Sequence, residues 1–365
     1  MGFILKLFAL IISSSLVHSR ETVKIWKTVK LNEKMIYDCV DIYKQPSLNH
    51  PLLQNHKIQM EPSFPISKSK YQVERTISKE IIDCPNGTVP ILRNTKEYVT
   101  NGQHFVGKHF NPFTVESHGT HFAGVRLQGH RPFHGMASWI SVHDLNISQD
   151  QASYAHLYVG SRVNNKDNFI PTGWMINPNL FGDRRPWGYA FWKGANGTGC
   201  YNTMCSGFIQ VSKTDPLTGP FPEAPEGKRN IGSSIQKDKI HGNWWITDIR
   251  YKKDDEPVGY WPKELFDLIP NGVNMVGVGG AVESSPSSGI SPPMGNGHLP
   301  AKDDKDDMVS ARVQDILVLD SSKKFRGIDY SKLEIMLDSE KCYGLRRGKK
   351  HLFTFGGPGG NSCGI

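Results

Sequence analysis

Short runs of alternating polar and apolar residues recur from about residue 129 onward, at intervals of about ten to fifteen residues. They fall at 135–142, 152–159, 188–192, 207–211, 243–249 and 273–282. A period of two is that of a strand with one face buried. In 153–159, Tyr154, His156 and Tyr158 share one face, and Ala155, Leu157 and Val159 share the other. Turns rich in glycine and proline separate the runs, and the chain holds 36 Gly and 23 Pro. This pattern predicts an all-β protein whose antiparallel strands form two packed sheets or a barrel. One short helical turn is predicted at 265–268. The pattern is weaker towards the N-terminus. Residues 20–85 are polar with one helical-looking patch, and 86–125 read as strands and exposed loop. That region is expected to form a smaller mixed α+β unit ahead of the β-sandwich.

The first twenty residues change the compartment. Lys6 is followed by an apolar run over 7–17, with Val17 and Ser19 at the −3 and −1 positions of a cut after Ser19. That predicts a secretory signal peptide over 1–19, too short to span a membrane. Six cysteines follow: Cys39, Cys84, Cys200, Cys205, Cys342 and Cys363. An even count in an oxidising compartment implies three disulfides, among 15 connectivities. Proximity favours Cys200–Cys205 and Cys342–Cys363. Three N-x-S/T sequons, at Asn86, Asn146 and Asn196, agree with secretion and predict glycosylation.

The formal net charge is +8, but no lysine or arginine run exceeds three residues. No nucleic-acid stripe is expected, and the surplus suits weak attraction to acidic polysaccharide. The run at 302–307, KDDKDD, reads as a solvated loop rather than a calcium site. The glycine-rich tail lacks the Lys-Ser/Thr of a phosphate loop and reads as a turn around Cys363. No metal and no cofactor are expected.

Residues 192–210, WKGANGTGCYNTMCSGFIQ, set Cys200 and Cys205 among Gly197, Gly199 and Gly207, with Trp192, Tyr201 and Phe208 interleaved. This wording resembles the neprosin family of plant secreted proteins. So do Gly173-Trp174, Asn177-Pro178, Gly182-Asp183, Gly242-Asn243-Trp244-Trp245, Gly259-Tyr260-Trp261-Pro262 and Pro293-Met294-Gly295-Asn296-Gly297-His298. Tyr37-Asp38-Cys39-Val40-Asp41 and His50-Pro51-Leu52-Leu53 carry the likeness into the N-terminal part. The resemblance implies an activation peptide over 20–125 that covers the active face in cis, and a catalytic-type β-sandwich over 126–365. It also implies disulfides Cys39–Cys84, Cys200–Cys205 and Cys342–Cys363. Characterised members are glutamic peptidases that cut after proline, so a secreted, extracellular protein of the apoplast or cell wall is expected.

Such a peptidase needs one carboxylate as general base on water and a second, protonated carboxyl to polarise the carbonyl and protonate the leaving nitrogen. The family's first glutamate stands two residues before Gly-Trp, where this chain has Pro171. The second follows Gly-Gly, where it has Ala281. The family's usual glutamine after Gly-Trp is Met175 here. Proline within a strand also deletes a ladder donor and favours an edge or a bulge. The resemblance with both glutamates replaced points to a non-catalytic cleft binder for proline-rich chains or wall polysaccharide, with Trp174, Trp192 and Trp244 as cleft aromatics. The alternative is an active acid peptidase using relocated carboxylates, Glu283 and Asp167. Glu283 lies two residues beyond Ala281, on the same face and about 7 Å along. His298 reads as a polar turn residue.

Overall fold

The computed structural model describes residues 24–33, 35–66, 73, 76–106, 109, 111–112, 119–223, 229–302, 309–322, 324–348 and 351–363. The expected signal peptide and most of KDDKDD lie outside the described residues. In chain order the strands are β1 (Ile25–Lys30), β2 (Ile36–Asp41), β3 (Thr88–Leu92), β4 (Thr120–Phe133), β5 (Gly135–Ser141), β6 (Ala152–Val163) and β7 (Lys166–Ile176). Then come β8 (Trp187–Lys193), β9 (Gly199–Tyr201), β10 (Ile209–Gln210), β11 (Gly219–Pro220), β12 (Asn230–Lys237), β13 (Trp244–Ile249), β14 (Glu256–Trp261) and β15 (Val273–Glu283). The last are β16 (Ala311–Leu319), β17 (Phe325–Gly327), β18 (Glu334–Leu337), β19 (Gly344–Arg347) and β20 (Leu352–Gly356). Helix α1 (Lys96–Val106) follows β3, and the single-turn α2 (Pro178–Phe181) follows β7.

The strands form three antiparallel sheets. The N-terminal sheet has the order β1-β2-β3. A second sheet runs β10-β14-β13-β12-β5-β16-β20-β19, with β17 on β16. A third runs β11-β8-β7-β6-β15-β4-β18, with β9 on β8. The second and third sheets stack to make the sandwich. Between them lie Ala155, Leu157 and Val159 of β6, Ile170, Trp174 and Ile176 of β7, and Val276, Val278 and Val282 of β15. These meet Met136 and Ile140 of β5, Ile231 and Ile235 of β12, and Val313 of β16.

Each of the six alternating runs holds a strand, although in 207–211 it is only Ile209–Gln210; the helical turn expected at 265–268 lies earlier, as a 3-10 turn at Lys263–Leu265 that shares only Leu265 with it. The N-terminal unit is small and mixed: a three-stranded sheet, α1 and three short 3-10 turns. A boundary at residue 126 falls inside β4, which pairs with β15 from Phe133 back to Thr120. The expected edge or bulge at Pro171 is not what forms. Pro171 sits in β7, an interior strand between β6 and β8. Its pairing to β6 is continuous through Tyr158. On the β8 side, partners are found for Phe169 and Thr172 but not for Ile170 and Pro171. The register is the same on both sides of this gap, so the missing N–H is absorbed by a local lapse in the ladder rather than by a bulge.

All three disulfides form as Cys39–Cys84, Cys200–Cys205 and Cys342–Cys363. The first ties β2 to the segment before β3. The second closes the turn after β9. There Gly207 has φ +144°, and a Cβ built on it would lie 2.8 Å from the Trp192 ring, so a side chain cannot stand at this position. The third anchors the tail, whose Gly357 and Gly360 bridge to Met294 and Ser291.

Candidate functional site

The outer face of the third sheet is built by strand parity. Residues of β6 facing away from the sandwich core are Tyr154, His156 and Tyr158, and β6 lies between β7 and β15. Register therefore lays down three cross-strand rows. Met175–Tyr154–Ala281 is one, Gly173–His156–Gly279 the next, and Pro171–Tyr158–Gly277 the third. Pro171 and Ala281 thus share a face but not a row. Four residues separate them along the strands, about 13 Å, and two strand spacings separate them across, about 10 Å. Ala281 is 1% exposed, and neither it nor Pro171 can carry a proton.

This face is not open to solvent. Tyr154, Tyr158, Phe169, Met175, Tyr189, Phe191, Tyr201 and Ala281 form one buried cluster with Tyr37, Leu92, Tyr98 and Phe105 of the N-terminal unit. Just beyond α1, His109 enters the cluster. Its Nδ1 is 2.6 Å from the Tyr201 hydroxyl. Its ring stacks on Tyr154 at 5.4 Å and 16°, and lies 4.6 Å from the Phe191 ring. Tyr189 and Tyr201 present their rings at 69° and 86° to it. Beside it, His156 Nδ1 meets the Tyr189 hydroxyl at 2.5 Å. Burial, and then the charge of His156, holds the His109 imidazole well below its usual pKa. Burial lowers His156 to about 3. The Tyr201 phenol is pushed up by burial, then by Glu283. That of Tyr189 is pushed up by burial, then by Tyr154 and Glu283. At neutral pH the ring cluster is therefore uncharged.

The N-terminal unit is held by polar clamps around the rim. Gln45 exchanges two hydrogen bonds with the backbone of Gln210. The Tyr37 hydroxyl donates to Thr218 O at 2.8 Å, and Asn202 Nδ2 donates to the Tyr98 hydroxyl at 2.9 Å. Asp238 accepts from the Ser63 amide and from Gln59. Burial alone would raise its carboxyl, but the amides of His241 and Ser63 and the Gln59 side chain outweigh it and hold it at about 2. Lys79 is buried against two carboxylates, with Nζ 2.5 Å from Asp248 and 3.3 Å from Asp215. Burial opposes its charge, but Asp215 and Asp248 outweigh that and raise its pKa. Burial raises Asp248 itself to about 6, against the pull of Lys79.

The structure separates several residues that sequence reasoning grouped. Glu283 ends β15 opposite Ala152 of β6, whereas Asp167 stands opposite Arg162 at the far end of that strand. Nine residues of β6 lie between, a span of ten steps or roughly 33 Å. Asp167 is also engaged by Lys193 Nζ at 2.6 Å and Asn111 Nδ2 at 2.7 Å. The two therefore do not form a dyad. Trp174, Trp192 and Trp244 are not cleft residues, because all three are buried between the sheets. Trp174 has the parity of Ile170 and Ile176, and its Nε1 donates to Ser141 O at 2.9 Å. His298 is an exposed turn residue, and Asn86, Asn146 and Asn196 are exposed.

His109 and the Lys79 clamp carried no sequence signal. The Tyr154/His156/Tyr158 alternation did, since it marks an aromatic face opposite an aliphatic one. Among the described residues, no group of three or more His, Cys, Asp or Glu side chains could hold a metal ion. No helix among them is long and apolar enough to cross a membrane.

The family model described as Neprosin matches residues 149–358. The model described as Neprosin activation peptide matches residues 28–130, which include His109 and Lys79. Among solved structures, the chain is similar to Scytalido-glutamic peptidase with a peptide-based transition state analog. That match has 10% identity and a TM-score of 0.35, covering 65% of this chain and 97% of that one. It is also similar to SCP-B, a member of the Eqolisin family of peptidases, in a complex with the tripeptide Ala-Ile-His. That match has 9% identity and a TM-score of 0.33, covering 65% of this chain and 97% of that one.

Proposed function

This chain belongs to the neprosin family, and we propose that it is a member that binds but does not cut. In this reading it is a secreted glycoprotein whose third-sheet groove grips an extended polypeptide, proline-rich by preference, after the activation peptide withdraws. The observation that carries it is the pairing of Pro171 and Ala281 with a floor of uncharged rings. Amide hydrolysis needs a proton acceptor and a proton donor placed within a fraction of an ångström of their working positions. The nearest carboxylate along the face, Glu283, is two residues from Ala281, and Asp167 is at the opposite end. Flat phenol and phenyl faces at Tyr154, Tyr158, Tyr189 and Phe191 can stack on proline rings without any acid chemistry.

Polypeptide is favoured over wall polysaccharide because the groove is already filled by polypeptide, through apolar rings rather than a lattice of polar groups. Immobilised proline-rich peptides and pectin fragments provide the test, with the N-terminal unit displaced in acid. Retention on the peptides, with their masses unchanged, is the expected outcome. Retention on pectin alone, or on neither, overturns it. Secretion and modification are checked separately, by a loss of mass on enzymatic removal of N-glycans from protein recovered outside the cell.

A further inference from the structure

The ring cage around His109 is more selective than an apolar groove requires. Two faces are closed, by Tyr154 at 5.4 Å and Phe191 at 4.6 Å. Two edges are closed, by Tyr189 at 6.0 Å and Tyr201 at 5.2 Å. Into this space the chain delivers a five-membered ring with a polar edge, and the Tyr201 hydroxyl meets that edge at 2.6 Å. The neighbouring His156–Tyr189 pair repeats the same imidazole-to-phenol bond at 2.5 Å. A phenyl or thiophene ring would fill the space but leave a buried hydroxyl without its partner. A proline ring has the right size, but its nitrogen is spent in the backbone. All four cage residues lie in β6, β8 and β9, outside the stretch matched by the activation-peptide model, so the cage stays when that peptide leaves.

We propose that this cage is an imidazole-reading subsite of the groove, which takes the histidine side chain of an incoming extended polypeptide when the activation peptide's own His109 is withdrawn. The proposal deepens the binding reading above and rests on it for the incoming chain, whereas the cage itself can be tested alone.

Full-length protein with His109→Gly carries a ring-sized gap, and imidazole, thiophene and N-acetylpyrrolidine, a neutral stand-in for the proline ring, serve as probes in thermal melts. Imidazole is expected to raise the melting temperature saturably in His109→Gly and not in the unaltered chain. Adding Tyr201→Phe is expected to reduce the preference for imidazole over thiophene by about tenfold, the worth of one buried hydrogen bond. No saturable rise in a folded His109→Gly protein overturns the proposal. So does an imidazole-to-thiophene ratio that ignores Tyr201, and so does tighter binding of N-acetylpyrrolidine, which would make this a proline pocket. Should His109→Gly not fold, ¹⁵N-histidine spectra of the unaltered chain give a second reading. There Tyr201→Phe must shift the His109 Nδ1 resonance, and an unmoved resonance overturns the assignment. Because no probe is a peptide and no turnover is read, failure here is distinct from failure of the groove-binding reading.

Discussion

The two faces of the third sheet are made by the same strands and do opposite work. On β6, Ala155, Leu157 and Val159 point into the sandwich, while Tyr154, His156 and Tyr158 point out under the N-terminal unit. The inner face is aliphatic and tryptophan-rich, and its partner is another sheet of the same domain. The outer face is phenolic and histidine-bearing, and its partner is a segment matched by an activation-peptide model. Burial is equally complete on both, so burial does not distinguish scaffold from site. Chemistry does. The inner face is mostly a matter of shape, whereas the phenols and imidazoles of the outer face bring polar tips that must find partners.

That contrast can be broken first at Trp174. It is fully buried between the sheets, and Trp174→Ala should cost about 3–5 kcal/mol in denaturant unfolding without changing what the groove prefers to bind. A loss below about 1 kcal/mol would remove Trp174 from the core.

Next comes Lys79, which belongs to the N-terminal unit but is buried against the sandwich. Lys79→Met leaves Asp215 and Asp248 facing one another without their shared cation, an arrangement expected to cost about 3 kcal/mol. Earlier proteolytic loss of the N-terminal unit than in the unaltered chain is the readout. Unchanged proteolysis would mean that the clamp does not hold that unit.

The strands that were legible in the sequence are those whose two faces differ in polarity. Residues 152–159 announce themselves because tyrosine and histidine alternate with alanine, leucine and valine. β7 does not, because Phe169, Pro171, Gly173 and Met175 are as apolar as Ile170, Thr172, Trp174 and Ile176. Without that strand the parity of Trp174 was invisible, and a tryptophan beside a family motif looked like a groove residue. The expectation that Pro171 and Ala281 stand at the family's glutamate positions comes from residue identity in the motifs and does not depend on where a strand points. His109 was not readable, because its role depends on a segment folding back over residues that lie 45 to 92 positions away.

Buried histidines also make the stability depend on pH. His156 on the outer face is held at about 3 by burial. His143, also buried, is held at about 3 by burial, then by Arg312 and Arg229. A histidine whose folded pKa is depressed contributes stability that is complete above the unfolded value, about 6.5. That contribution is lost as the pH falls from there towards 3, because the unfolded chain takes up protons that the folded chain refuses. Each such histidine adds a slope of about 1.4 kcal/mol per pH unit. His156→Phe should remove one of these slopes between pH 6 and pH 3.5 and leave the curve above pH 7 parallel to that of the unaltered chain. Identical slopes would place a charged imidazole in the cluster.

The smallest change is Tyr201→Phe, which deletes the hydroxyl facing His109 and should cost about 1 kcal/mol. Thermal melts read it, and a double cycle with His109→Phe should show that most of this loss belongs to the pair. Additive losses would mean that the 2.6 Å contact contributes nothing.

The proposal that the outer face lacks a working acid–base couple is tested most directly by turnover. Purified protein, incubated with proline-containing peptides from pH 2 to pH 7 and followed by mass spectrometry, should leave every peptide intact. Glu283→Gln run alongside should behave identically. Cleavage by the unaltered chain that disappears in Glu283→Gln would contradict the account, because it would make Glu283, buried beside the ring cluster, a working acid or base.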